Sequence, residues 1–274
     1  MANKEELLTK IDELPLFELR KVQVKTDTNE NLDSWELQDK DYAVCKTTST
    51  HSYAYVKERY QLLQFRDIFR PVLEQLSSDV EGYLISYAGF GMLKIFPEME
   101  RLREGNDKFG IVAMNSVDCS SAIIVKFIVK RGEQYFYIPP EIAGLRKTHS
   151  GNVKNITKDY MSIIGKVKEV WKTIITKFPE IIIVENLNNY SGTNQAMEFG
   201  KVAEKLKIGI RLNKKIKNKY LSVTKEGKKY NLWDFITDTI QHISDKKYKE
   251  DANREKRIDT VCNQIFKLSF LASL

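Results

Sequence analysis

The stretch Phe109–Arg131, FGIVAMNSVDCSSAIIVKFIVKR, constrains this chain more than any other. Two runs rich in Ile, Val and Phe flank the polar segment Asn115-Ser116-Val117-Asp118-Cys119-Ser120-Ser121. Branched side chains suit a pleated surface and short polar ones satisfy the backbone of a turn, so the pattern predicts a β-hairpin. In the second run Ile124, Lys126, Ile128 and Lys130 alternate with Ile123, Val125, Phe127 and Val129. Successive strand side chains point to opposite faces, which predicts one apolar face and one face carrying lysines. That lysine face is the first expected functional surface.

Neighbouring segments extend the sheet. Tyr42–Lys46, Ser52–Val56, Gly82–Tyr87, Met92–Phe96 and Gln134–Ile138 all read as strands, mostly in meander order. Gly89-Phe90-Gly91 is a hairpin turn rather than a phosphate loop, because no helix signal and no GxxxxGK[ST] follow it. Between the strands, Gln61–Leu76 carries Leu62, Phe65, Phe69, Leu73 and Leu76 on one helical stripe, with Pro71 predicting a kink or two short helices. Residues 3–21 begin with an amphipathic stretch, Leu7, Leu8, Ile11 and Leu14, before Pro15.

Beyond Pro139-Pro140 the period becomes helical. Ile156–Phe178 repeats apolar residues every three or four positions and stops at Pro179. Ile181–Val184 fits either a strand or a buried helix. Thr193–Leu206, Leu232–Ile243 and Ala252–Phe270 read as helices. Strands first and helices later predict an α+β fold: a mostly antiparallel meander in the N-terminal half, packed against a long helix, with a basic helical C-terminal region. The expected organisation is an N-terminal arm over 1–40, an α+β core over 41–200 and the basic region over 201–274.

The chain's 274 residues are ample for a core, and no apolar run approaches a membrane span. The first residues lack a signal peptide's apolar segment, so a cytoplasmic location is expected, with no membrane partner. Cys45, Cys119 and Cys262 are scattered, without CxxC or histidines at ligand spacing, so neither a disulfide framework nor a metal or cofactor is expected. The net charge of +7 is uneven. Residues 1–140 hold 18 Lys+Arg against 22 Asp+Glu, whereas residues 201–274 hold 18 against 9. Such asymmetry points to a polyanion, usually nucleic acid; lysines that merely solvate helix surfaces are the plainer alternative.

Single-strand binding needs cations for the backbone and aromatic faces for the bases. Lys126, Lys130 and Arg131 are candidates for the first role, Tyr135 and Tyr137 for the second; an ordinary solvated face is the alternative. Arg146, Lys147 and His149 precede the long helix, where Ser150, Gly151 and Asn152 offer either a phosphate contact or a simple cap. Lys214, Lys215, Lys217, Lys219, Lys228 and Lys229, with Lys225 and the interleaved Tyr220 and Tyr230, form either a phosphate-binding arm or a solvated linker. Asn115, Asp118 and Ser120 suit turn chemistry better than catalysis, since one carboxylate has no partner. Trp233 reads as core, and His51 and His242 lack a nucleophilic partner at a catalytic spacing.

Three pieces in order carry a resemblance: Asn115-Ser116-x-Asp118-x-Ser120-x-Ala122; Lys147-Thr148-His149-Ser150-Gly151-Asn152-Val153; and Leu232-Trp233-Asp234-Phe235-Ile236-Thr237-Asp238-Thr239-Ile240-Gln241-His242, followed by basic Arg254–Arg257. Together, from about Tyr42 to Phe270, they resemble the phage/plasmid-like domain family of unknown function found in phages, plasmids and archaeal mobile elements. The chain departs from that pattern at Cys119, where the family has Gly. It departs again at Ile128–Glu133, where the family has Arg-x-x-Cys-x-Asn. The resemblance implies a mobile-element origin and a replication or recombination setting. In outline the order of elements is also similar to Rad52-like single-strand annealing proteins. The expectation is therefore a non-enzymatic, homo-oligomeric DNA-binding protein that favours single-stranded DNA and promotes strand annealing. A module acting on a host protein, such as an anti-defence factor, is the alternative, and a nuclease the third.

Overall fold

A computed structural model describes residues 2–25, 35–49, 51–57, 60–76, 79–87, 89–117, 123–147, 164–245 and 252–271. Helix α1 (Lys4–Asp12) is followed by strands β1 (Phe17–Lys25), β2 (Trp35–Lys46) and β3 (Ser52–Lys57). Helix α2 (Phe65–Glu74) precedes β4 (Val80–Tyr87) and β5 (Phe90–Pro97). Next come β6 (Arg103–Glu104), β7 (Asp107–Ser116), β8 (Ile123–Arg131), β9 (Gln134–Tyr137), the short α3 (Pro140–Ala143) and β10 (Gly144–Lys147). The remainder is α4 (Ile164–Lys177), β11 (Ile182–Val184), β12 (Ala196–Glu198), α5 (Phe199–Lys205), α6 (Ile210–Lys225), α7 (Leu232–Ser244) and α8 (Ala252–Leu271). The architecture is α+β, as the order of patterns predicts, and β7 and β8 are the neighbouring strands of the expected central hairpin.

The chain forms two compact units. One comprises Met1–Met99, Ile111–Val125 and Leu145–Lys158; the other comprises Glu100–Gly110, Lys126–Gly144 and Asp159–Leu274. Two of the crossings between them fall within β7 and within β8.

In the first unit, β4, β5 and β7 are antiparallel neighbours, with Leu93 opposite both Leu84 and Ala113. β5 is buried along its whole length, which a central strand between covered faces requires. Leu7 and Ile11 of α1 are fully buried, and α1 lies close to β4 at Gly82. A Cβ there would come within 2.6 Å of the Lys94 carbonyl oxygen and 2.7 Å of a Leu7 methyl. Phe65 and Phe69 of α2 pack over Gly91 in the same way. Pro71 sits inside α2, and the Gln75 N–H still reaches the Pro71 carbonyl at 3.3 Å. Near the N-terminus β1 pairs with β2, Leu19 opposite Val44, and β2 pairs with β3.

In the second unit, β8 and β9 form a hairpin with Ile128 opposite Tyr137, and Gly132 takes the turn at φ +57°. Adjacent residues of β9 face opposite sides. Phe136 packs against Trp171 of α4 (centroids 4.9 Å apart) and Trp233 of α7 (5.5 Å). Tyr137 faces α8, where its hydroxyl donates to Glu255. Helices therefore cover both faces of this hairpin. Ile181–Val184 resolves as strand, because β11 pairs in parallel with β12, Ile183 opposite Met197. That pairing also delays the next helix: α5 starts at Phe199 instead of Thr193.

Candidate functional site

The expected lysine face of β8 is corrected by the helices that cover it. Lys126 is 0% exposed, and its ammonium donates to the carboxylate of Asp259 on α8. Tyr137 is equally enclosed, and burial beside Glu255 pushes its phenol well above the usual range. The side-chain alternation along β8 is as the sequence predicts; what the pattern hides is a helix more than a hundred residues away that fills the lysine side. Next to these groups, burial pushes the Cys262 thiol up to about 12. A buried lysine and a buried phenol, each matched to a carboxylate, are held in place and are closed to any nucleic acid.

Lys130, Arg131 and Tyr135 lie nearer the hairpin end and keep some exposure. Arg131 is nonetheless engaged. Its guanidinium sits over the Trp233 ring, 5.5 Å from the centroid, and donates to Asp107 at 3.0 Å. The same Asp107 oxygen accepts from the Trp171 indole N–H at 2.7 Å. Arg146 and Lys147 fall on β10, and their side chains are outside the described residues, as is the whole of His149. Asn115 is fully buried: its amide donates to the Leu63 carbonyl and its oxygen accepts from the Ser116 N–H. Asp118 and Ser120 are outside the described residues.

The basic stretch that admitted either an arm or a linker is largely a helix. α6 spans Ile210–Lys225, IRLNKKIKNKYLSVTK, with no acidic residue. Its inner side holds Ile216 and Tyr220, both buried. Tyr220 lies 5.3 Å from the Phe199 ring of α5 and 5.7 Å from Tyr230, and Phe199 lies 5.1 Å from Phe235 of α7. Tyr220 and Tyr230 thus hold three helices together and do not alternate with the lysines on one surface. Tyr230 also donates to Asp238 at 2.8 Å, and burial raises its phenol.

With 3.6 residues per turn, Arg211, Lys214, Lys215, Asn218, Ser222 and Lys225 share the outward stripe of α6. All six are exposed. Arg211, Lys214, Lys215, Lys219 and Lys225 make no ion pair among the described residues. Lys217 pairs with Glu185 at 3.2 Å and Lys228 with Glu226 at 2.8 Å, while Lys229 is exposed on the turn that follows. Like charges three and four apart destabilise an isolated helix by about 0.2–0.5 kcal/mol per pair, and Arg211 in the first turn opposes the helix dipole. The stripe is electrostatically unfavourable in the free chain and favourable against an anion. Arg211 and Asn218 were missed in the sequence; the helical period, applied across the lysine run, would have placed both on the same stripe.

Compared with protein-family models, curated proteins and solved structures, the chain matches none. No helix among the described residues is long and apolar enough to cross a membrane.

Proposed function

We propose that this chain is a DNA-binding protein that grips the phosphate backbone through α6 and the turn after it. The observation that supports this is the acid-free stripe of cations, unpaired among the described residues, on a helix whose other side is anchored by aromatic packing. Cations held on a rigid element bind a polyanion without the entropy loss of ordering a loop, and they release counterions as they do. The resemblance carried by the Asn115, Lys147 and Leu232 segments adds a mobile-element setting, with replication or recombination as the process served. In that setting, strand annealing on single-stranded DNA by subunits assembled side by side rests on the β8–β9 turn, where Tyr135 supplies a ring, and not on the ring-free stripe of α6. It retains Lys130, Arg131 and Tyr135 as accessible groups at the β8–β9 turn, while Lys126 and Tyr137 no longer contribute.

Fluorescence anisotropy with labelled oligonucleotides across a salt series tests the proposal. Affinity is expected to fall linearly on logarithmic axes, and K214E/K215E/K219E is expected to remove most of it. Absence of binding at low salt would overturn the proposal and favour a protein-interaction role.

A further inference from the structure

α5 and α6 are joined by only four residues, Leu206 to Gly209, and the join is sharply defined. Lys207 adopts φ +53°, the Lys207 N–H donates to Glu204, and the Ile208 N–H donates to Ala203 at 3.0 Å. Those two bonds close a Schellman motif, whose left-handed position is normally glycine. Gly209 then starts α6. Phe199, Val202 and Ala203 of α5 and Leu206 just after it are buried, with Ile216 and Tyr220 of α6 buried behind the stripe and α7 completing the cluster. A short turn containing Gly, followed by a second helix presented outward on a packed support, is shared with the helix pairs that insert a helix into a DNA groove.

The face of α6 suits a duplex better than a single strand. A helix with side chains is about 10–12 Å across, and the major groove of B-DNA is about 12 Å wide. The side chains at the exposed start of α6 are of the kinds that read base edges there. Arg and Lys pair with guanine O6 and N7, Asn pairs with adenine, and apolar groups meet the thymine methyl. Arg211, Lys214, Lys215 and Asn218 supply the first two kinds, and Ile210, 88% exposed, supplies the third. No aromatic ring lies on this stripe, so the stacking surface a single strand requires is missing from it. Lys207 keeps a charge in the turn despite a backbone conformation that favours glycine.

Resting on the DNA-binding reading, we propose that α5 and α6 form a helix-turn-helix whose second helix, α6, reads the major groove of duplex DNA, with Arg211 and Asn218 contacting bases.

The test uses the full chain with a 24-base-pair duplex and a single strand of equal length. It adds competition by methyl green, which occupies the major groove, and distamycin, which occupies the minor groove. Selection from a random duplex library follows. Duplex binding at least about tenfold tighter than single-strand binding is expected, displaced by methyl green and not by distamycin. R211A and N218A are each expected to weaken binding to the selected sequence about 5- to 150-fold and to change the sequence selected. Equal or tighter binding to the single strand, still abolished by K214E/K215E/K219E, would overturn the groove assignment and leave the DNA-binding reading standing. Displacement by distamycin alone would also overturn it. No binding to either form would overturn both. Both substitutions lie on exposed positions, and circular dichroism confirms that the variants fold.

Discussion

Lys126 and Lys215 show how far the surroundings of a lysine decide its use. Lys126 sits on a strand with alternating apolar neighbours and is sealed under α8 against Asp259. Lys215 sits mid-helix with no acid on its own element and stands in solvent. A buried charge must be matched inside the fold, because taking it from water costs more than most contacts return. An exposed one can remain unmatched, and a cluster of such charges stays available to a partner. The charge of the β8 region therefore helps specify which helix covers the hairpin, whereas the charge of the α6 region stands in solvent, as the proposed binding to a polyanion requires.

The sharpest way to break this contrast is to neutralise one lysine of each kind. K126M leaves Asp259 of α8 without its partner, and removing one partner of a buried pair costs about 3–5 kcal/mol. Urea unfolding followed by tryptophan fluorescence should show that loss, and the double variant K126M/D259L should recover most of it. Little loss in K126M would mean that the pair is not holding α8 in place.

The converse substitution, K214E/K215E/K219E, should leave urea stability within about 0.5 kcal/mol or raise it, because like-charge repulsion along α6 is relieved. Its effect falls on binding instead. Each phosphate contact contributes about one unit to the salt slope, so the slope should drop by about two to three, with affinity down about 100-fold or more at moderate salt. A stability loss comparable to that of K126M would erase the distinction between the two regions.

Much of this molecule is legible from residue patterns, for reasons specific to each element. The strands β4, β5, β7, β8 and β9 follow from local alternation and turn residues, and α7 follows from a strong apolar stripe behind Asn231, which caps it through Asp234. β1 and β12 carry no clear local signal, because each depends on a partner strand more than on its own composition. The candidate site divides in the same way. The lysine density of α6 is visible in the chain, but its regular stripe emerges only once Ile216 and Tyr220 are known to point inward. The burial of Lys126 and Tyr137 is not legible locally, because alternation identifies a face without saying what covers it, and Asp259 and Glu255 lie more than a hundred positions away.

The buried side of the comparison also has a pH signature. The Cys262 thiol stays neutral in the folded chain up to about 12, whereas in the unfolded chain it ionises near 9. Between those values the unfolded state has released a proton that the folded state keeps, so stability falls as pH rises, by about 1.4 kcal/mol per unit. Below pH 9 the thiol contributes nothing to the pH dependence. The enclosed phenol of Tyr137 has the same sign and adds its own decline above pH 10. Urea midpoints between pH 8 and 10 should therefore be flatter in C262A than in the native chain, whatever the absolute cost of removing the sulfur. Equal slopes would place the thiol in water.

The smallest expected effect concerns Lys207, where stability and function pull apart within one residue. α5 and α6 end in the same hydrogen-bonded motif, α6 with Gly227 at φ +73° and α5 with Lys207 at φ +53°. A residue with a Cβ pays about 1–2 kcal/mol in that conformation, and glycine avoids this at the expense of greater freedom when unfolded. K207G should then stabilise the chain by about 0.5–1 kcal/mol. If the lysine is retained for its charge, the same change should also weaken DNA binding a fewfold and lower the salt slope by about one. Greater stability with unchanged binding would separate the turn from the contact surface and confine the binding charge to α6 itself.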